Sequence, residues 1–537
     1  MPIPALFSYR TLLRGRNLIC NDSIPFKETP RSNKGSRQYP AFAALFVMAS
    51  VIAGCQATPN NPSVAVEASV QQKQLQLPVS AASRVAPEAS IDSDEFVNAL
   101  YSFAQQEVGD HFGLSLEDVN LKLADNSELE FFVRRETVNL SHAVFHNQRF
   151  AEFFVNKVMQ DQAGTYAGLY VSPENRVILN RDLLTVFRDI LKADAAAASA
   201  MQQRELVGQS LLALLIHELV HAADNKRFQI HARRSLNFRS SVAQSAVFEG
   251  HAQLATREIC SKLNCLNGLQ RLDAFMFEAP EPADPVARSL QAVSRNVLEY
   301  AYVEGERFLQ ALKRSPNGTQ RLESALRNPP EDPVQILDPD NFPDIERVNR
   351  NRTIFQKLQN VEHKWNSPQY ALIETSPIKG LDIRNDPERR AATKEGFTQL
   401  IRSMVGAQLF DQQASKILPI EITVMQTENA DTADLFANSF QQKASRSSAD
   451  STTSANTLHL TIGNSDSTWP MRVFLAVTEF NKEEDKGKHY VSLIANAENW
   501  IIQMGGIADP RDPGMISFSE KAMLELLDTD SYTRASR

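Results

Sequence analysis

The stretch from Leu211 to Asp224 constrains this chain more than any other. It reads Leu-Leu-Ala-Leu-Leu-Ile-His-Glu-Leu-Val-His-Ala-Ala-Asp. From Leu214 to Ala223, every residue around His217, Glu218 and His221 is uncharged. Such a run predicts a buried helix, beginning near Gln202 and ending around Asn225. Two histidines four apart stand one above the other on the same helix face. Burying an unpaired glutamate is costly unless it is neutralised. Three ionisable groups within five positions therefore need a shared reason to be there. Neutral imidazoles at this spacing can hold one zinc ion, at roughly 2.0–2.1 Å each. A glutamate directly after the first histidine is placed to act as a general base on water. The bland alternative is a core helix with two hydrogen-bonded histidines.

The chain has 537 residues, 42% hydrophobic and 22% charged, an ordinary globular composition. Its net charge is −8, so no basic excess points to nucleic acid. Four segments are expected: 1–54, 55–90, 91–365 and 366–537. In the first, Arg31, Lys34 and Arg37 precede an apolar run from Ala41 to Gly54, and Cys55 follows. The run is too short to span a bilayer but suits a signal-peptide core. The segment resembles a bacterial lipoprotein signal, which implies lipidation at Cys55. Gln56 stands where an aspartate would favour inner-membrane retention, so the resemblance implies outer-membrane anchoring facing the periplasm. Residues 1–54 hold seven Lys/Arg and two Asp/Glu, leaving −13 on the remainder. Residues 55–90 are rich in Ala, Ser, Val, Pro and Gln without an apolar period, and read as a disordered tether.

Helices are expected over Ser93–Phe112, Val144–Met159 and Ser245–Ala255. His142 and His146 are also four apart, but no glutamate follows the first, so they read as surface or packing residues. Ala167–Asn180 reads as two short strands around a turn at Pro173-Glu174-Asn175. An edge strand there could pair with an extended substrate, or be an ordinary hairpin. Residues 278–286 read as a Pro-rich acidic loop, followed by helices over Val286–Lys313. Residues 329–343 read as an extended crossing. Beyond residue 366, a helix is expected over Glu388–Gln413 and a Ser/Thr-rich loop over 445–456. Strands are expected at Ile420–Val424, Thr457–Ile462, Met471–Phe480 and Tyr490–Ala495. Cys260 and Cys265 on a straight helix would have Cα atoms about 8–9 Å apart, beyond the roughly 7 Å limit for a disulfide. A break at Asn264 would allow the bond.

His217 to Phe228 followed by Glu249-Gly250-His251-Ala252 resembles a group of bacterial zinc-peptidase-like proteins. Those proteins carry His-Glu-x-x-His and then Glu-Gly-x-Ala. Tyr302-Val303-Glu304-Gly305-Glu306-Arg307-Phe308 and Pro329–Pro339 agree with the same group, except that Asp338 stands where members have histidine. The resemblance covers roughly Gly168–Asp344. It implies the gluzincin class, with a zincin-like fold over 91–365, peptidase chemistry, and a glutamate on a second helix as third zinc ligand. Tyr302 could stabilise an oxyanion or simply pack.

A catalytic zinc uses three protein ligands and keeps one position for water. The downstream candidates for the third are His231, Glu249 and His251. A metzincin histidine would fall six residues after His221, where Arg227 stands. His251 points about 200° away from Glu249 on a helix, so only one of them faces the metal. The resemblance places the ligand at Glu249. The expected fold is therefore α+β: a predominantly helical zincin-like catalytic domain and a smaller α/β C-terminal domain. The expected function is a zinc-dependent peptidase at the cell envelope. It would use one catalytic zinc held by His217, His221 and Glu249, with Glu218 as base, on a peptide or protein substrate. The membrane enters through the lipid anchor only. The alternative is a non-catalytic zinc-binding envelope lipoprotein acting in binding or assembly.

Overall fold

Local capping signals set most of the helix starts in the first half of the chain. Helix α1 (Asp94–Phe112) begins where the Ser93 side chain accepts from the Phe96 amide, and ends at the left-handed Gly113. Strand β1 (Asn120–Ala124) leads into α2 (Asn126–Val144), capped by Asp125, and then α3 (Gln148–Gln162). The helix expected across 144–159 is thus the end of α2 plus most of α3. The break falls at Asn147, whose side chain accepts from the Phe150 amide at 2.9 Å. The computed structural model describes residues 93–145, 147–162, 167–182, 200–230, 237–277, 299–363, 369–375, 400–445, 451–463, 468–480, 489–507 and 513–535, with a few more near 85–91 and 184–189. The signal segment, Cys55, most of the tether, the 278–286 loop, His146 and His231 lie outside the described residues.

Strands β2 (Gly168–Val171) and β3 (Arg176–Asn180) pair antiparallel around a turn in which Asn175 has φ 48°. Strand β1 joins β3 in parallel, so the order is β1-β3-β2 and β2 is an edge. Next comes α4 (Ala200–Phe228), which carries the apolar run. By length and composition it could cross a membrane, but 94% of its most apolar window is buried inside the protein. Helices α1, α5 (Phe238–Leu263) and α6 (Leu266–Phe277) cover it, burying Leu211, Leu215, Ile216, Leu219 and Val220 completely. Helix α5 starts before the expected Ser245, because Asn237 and Ser240 form a capping box. It ends at Asn264 in the left-handed conformation. That break brings the Cα atoms of Cys260 and Cys265 to 4.5 Å, and the two are joined in a disulfide.

A π-helical turn (Glu299–Glu304) runs directly into α7 (Gly305–Arg314), followed by α8 (Gly318–Arg327). Residues 329–343 are not an extended crossing. They hold α9 (Pro333–Leu337) and a 3-10 turn, because Asp332 and Gln335 form a capping box with Pro333 in the first turn. Helix α10 (Ile345–Asn360) follows.

The C-terminal elements are β4 (Tyr370–Thr375), β5 (Ile401–Asp411), β6 (Lys416–Thr427), α11 (Ala430–Ala444), β7 (Ser451–Gly463), β8 (Thr468–Phe480), β9 (His489–Ala497), β10 (Trp500–Ile507) and α12 (Gly514–Ala535). They form a seven-stranded sheet in the order β4-β5-β6-β10-β9-β8-β7. Every pairing is antiparallel, so this region is α+β in kind rather than parallel α/β. Helices α10 and α12 cover one face and α11 the other. Two expectations fail here. Residues 401–411 are a strand, not a helix: β5 is buried along nearly its whole length, and a continuous apolar run does not separate strand from helix by period. From Ser451 the Ser/Thr-rich stretch is the start of β7, an edge strand that tolerates exposed polar residues.

A buried polar hub ties the two halves together. Arg239, on the first turn of α5, forms an ion pair with Asp332, and both are nearly inaccessible. Asp332 also accepts from Asn351 of α10 at 2.7 Å, and Asn351 accepts from the Met404 amide of β5 at 3.0 Å. Glu374 of β4 lies 3.7 Å from Arg239. Burial pushes the Glu374 carboxyl up to about 7, against the pull of Arg239 and Arg352.

Helix α5 also touches α7 backbone to backbone. A Cβ on Gly250 would lie 2.2 Å from the carbonyl carbon of Gly305, and one on Gly305 would lie 1.9 Å from the Ala246 carbonyl oxygen. Gly250→Ala or Gly305→Ala should therefore destabilise the fold by about 1–3 kcal/mol or more. Urea unfolding should show a lower midpoint with an unchanged slope. The Glu374 carboxyl gives a pH-dependent expectation. Its folded value is raised, so its neutral form favours the fold fully below the unfolded value, and that contribution is lost as pH rises through about 7. Glu374→Gln should match wild type near pH 4 and be more stable above pH 7, by on the order of 1–3 kcal/mol.

Candidate metal centre

The i, i+4 spacing on α4 brings the His217 and His221 rings to 4.9 Å between centroids, nearly perpendicular. Opposite them, α5 presents Glu249. One Glu249 oxygen (Oε2) is 3.2 Å from His217 Nε2, and the other (Oε1) is 3.2 Å from His221 Nε2. All three residues are buried, and their ligand atoms lie within 4.8 Å of one another. This group can hold a metal ion. Ligand bonds of about 2.05 Å at a tetrahedral angle put neighbouring donor atoms about 3.3 Å apart, close to the two spacings seen. The hydrogen bonding points the same way. The His221 Nε2 and Glu249 Oε1 atoms are buried and face each other without a satisfied hydrogen bond. Buried polar atoms left so are rare, and a cation between them removes the deficit.

Electrostatics account for how the group is balanced. Burial pushes the Glu249 carboxyl up, but the two histidines outweigh it and hold it well below the usual carboxylate range. Burial pushes His221 down, while the charge of Glu249 pulls it up further, so its net shift is upward. A cation held between the three ligands would balance the Glu249 charge.

Glu218 follows His217 but points elsewhere, toward strand β2. Burial raises its pKa, with His221 and His217 opposing the rise, Glu249 adding to it and the Tyr170 amide opposing it. Its Oε1 has no hydrogen-bond partner among the described residues. A Cβ on Gly168 of β2 would lie 3.1 Å from that oxygen. The edge strand therefore passes directly over the carboxyl, and glycine is what leaves room there.

His251, two residues beyond Glu249, turns to the other side of α5. Its Nδ1 lies 2.7 Å from Asp224 Oδ2, with both residues buried. This pair joins α4 to α5 beyond the ligands, and sequence reasoning assigned it no role. The signal was available: an aspartate three residues after His221 on a buried face needs a partner. Tyr302 stacks on His217, centroids 5.7 Å apart and planes 20° apart. The Gly250–Gly305 crossing places it there. Asp338 lies away from the ligand group, bonded to Arg347 at 3.3 Å and to Asn341. His142 is exposed.

Purified protein should bind about one divalent metal ion per chain, with His217→Ala and His221→Ala abolishing it. In a chelator-competition titration, Glu249→Ala should weaken binding at least about tenfold more than His251→Ala, since second-site changes near metals typically cost 10–100-fold or less. Equal losses would remove Glu249 from the ligand set.

No protein-family model, curated protein or solved structure matches this chain, so the centre is defined by its own geometry.

Proposed function

We propose that this chain is a zinc-dependent peptidase of gluzincin type, with a zincin-like helical domain. The observation that carries it is the combination of a buried His217–His221–Glu249 ligand triangle with a fourth ionisable group, Glu218, whose Oε1 has no partner. A site built only to clip two helices together needs the triangle but not the extra carboxyl. Two imidazole nitrogens and one carboxylate suit zinc among the common divalent ions. What a zinc ion supplies in such a site is Lewis acidity, lowering the pKa of water toward ~7 and polarising a carbonyl oxygen.

The chain's own residues supply the rest. Glu218 sits in an environment that raises its proton affinity, which moves a carboxylate toward the range where it can take a proton from water and return it to a departing amine. Strand β2 is an edge of its sheet and runs over Glu218. An extended peptide lying along that edge would bring a backbone carbonyl near that carboxyl. Peptide bonds are therefore the substrate class the surroundings favour. Tyr302, stacked on His217, stands on the same side as the ligands and fixes one imidazole plane. The setting proposed is the bacterial envelope. The basic–apolar–cysteine order of Arg31 to Cys55 supports it, with Cys55 lipidated and the body facing the periplasm.

Glu218→Gln should retain metal at wild-type stoichiometry while losing peptide cleavage by at least about 100-fold, the usual scale for removing a general base. Absence of cleavage by the metal-loaded wild type across a broad peptide library would overturn the peptidase reading and favour a binding role.

A further inference from the structure

A cavity lies at the N-terminal end of α5, away from the metal ligands in the middle of the helix. Arg239 is ten residues before Glu249, about 15 Å away along the helix. It borders a cavity of about 810 Å³ between the helical part and the sheet, with apolar walls that include Phe145, Phe238, Leu358 and Phe518. Five consecutive residues of β4, Tyr370 to Glu374, also line it. Alternate strand residues point to opposite faces, so a cavity touched by five in a row runs along the edge of the strand. Strand β4 is the outermost strand of the seven-stranded sheet and pairs only with β5 among the described residues.

Register decides which backbone groups face this space. The Gln412 amide donates to the Gln369 carbonyl at 2.8 Å, and Tyr370 is opposite Asp411. Residues 369 and 412 are thus a hydrogen-bonded pair. By antiparallel alternation, Ala371 and Ile373 turn their backbone groups toward β5, while Leu372 and Glu374 turn theirs outward. Arg239 on the cavity wall is itself paired, through Nη2, with Asp332. Glu374, 3.7 Å from Arg239 Nε, supplies a carboxyl on the same rim.

We infer that this cavity binds a short extended peptide, which adds as a strand along the outer edge of β4. A peptide backbone carries both donors and acceptors at strand spacing, as the outward groups of Leu372 and Glu374 require. Ion pairing would not serve the strand edge: Arg239 is matched by Asp332 and Arg352 by Glu331, while burial raises Glu374 toward its neutral form. A charged head group would leave one sign in excess. Apolar side chains on the peptide suit the walls. The inference concerns binding and does not depend on hydrolysis at the metal centre.

The test is fluorescence anisotropy of acetyl-Leu-Ser-Leu-Ser-Lys(dansyl)-amide titrated with the full-length protein, its metal centre inactivated by Glu218→Gln. Saturable one-to-one binding is expected. The same peptide N-methylated at alternate residues should bind at least about tenfold more weakly in one of its two methylation registers, the scale of a lost hydrogen bond. Leu372→Pro removes an outward N–H without touching the pairing with β5, and should weaken binding about tenfold. Circular dichroism checks that this variant folds; if it does not, Phe355→Arg on the cavity wall contributed by α10, which leaves both strands unaltered, decides by weakening binding at least about tenfold. Absence of saturable binding, or equal binding of both methylated peptides, overturns the inference.

Discussion

The fold depends on how two neighbouring helices share one buried charge. Glu249 is wholly inaccessible and sits against two imidazoles on α4. A carboxylate taken out of water must be matched by a cation or lose its charge. Here the match is a proton on the histidine side or a metal ion between the three ligands. Either way the charge is balanced only if α4 and α5 keep their register. A slip of one residue along α5 moves Glu249 by about 1.5 Å and turns it by about 100°, which removes it from both nitrogens. The packing of the helical half is accordingly built to prevent that slip.

Three contacts on α5 hold it. At its N-terminus Arg239 is locked into the Asp332 hub. In the middle Gly250 meets Gly305 at a separation that admits no side chain on either. At the C-terminus the Cys260–Cys265 bond closes the turn after the helix. His251 adds a cross-link to Asp224 one step from the ligand itself. Precision at a metal site comes from the residues that hold the ligands, as well as from the ligands. Each of these contacts fixes a different degree of freedom: the axial position at the hub, the interhelical distance at the glycines, the rotation at His251.

This pattern explains which parts were legible in the sequence. The ligand helix could be read because its chemistry conflicts with its surroundings: three ionisable residues in an apolar run need a reason that few other partners provide. Glu249 could be read because a motif and a helical angle both singled it out from His251. The Ser93 and Asn264 boundaries follow from capping and left-handed residue types. The failures share a different cause. Residues 401–411 form a strand because β4 and β6 pair along its edges while α10 packs on one face and α11 on the other, and that partnership is tertiary. Residues 333–337 form a helix through an Asp332–Gln335 capping box inside a Pro-rich stretch, where proline was weighted as a breaker rather than as a first-turn residue. The Arg239 hub joins residues up to 165 positions apart in sequence, from Arg239 to Met404, and no local pattern announces it.

The hub also bears on how the two halves of the protein relate. Phe150 of α3 packs edge-on against Phe410 of β5 at 5.0 Å, and Ile373 of β4 joins the helical core. The sheet is therefore not an appendage, since its first two strands complete the apolar core of the helical part. Arg239 and Glu249 lie on one helix whose register the metal site cannot allow to shift. The Asp332–Asn351–Met404 hydrogen-bond chain links the first turn of α5 to α9, α10 and β5. A polar hub at this junction thus does what an apolar contact of the same size would not: directional bonds fix the entry of α5, while the ligands set its middle.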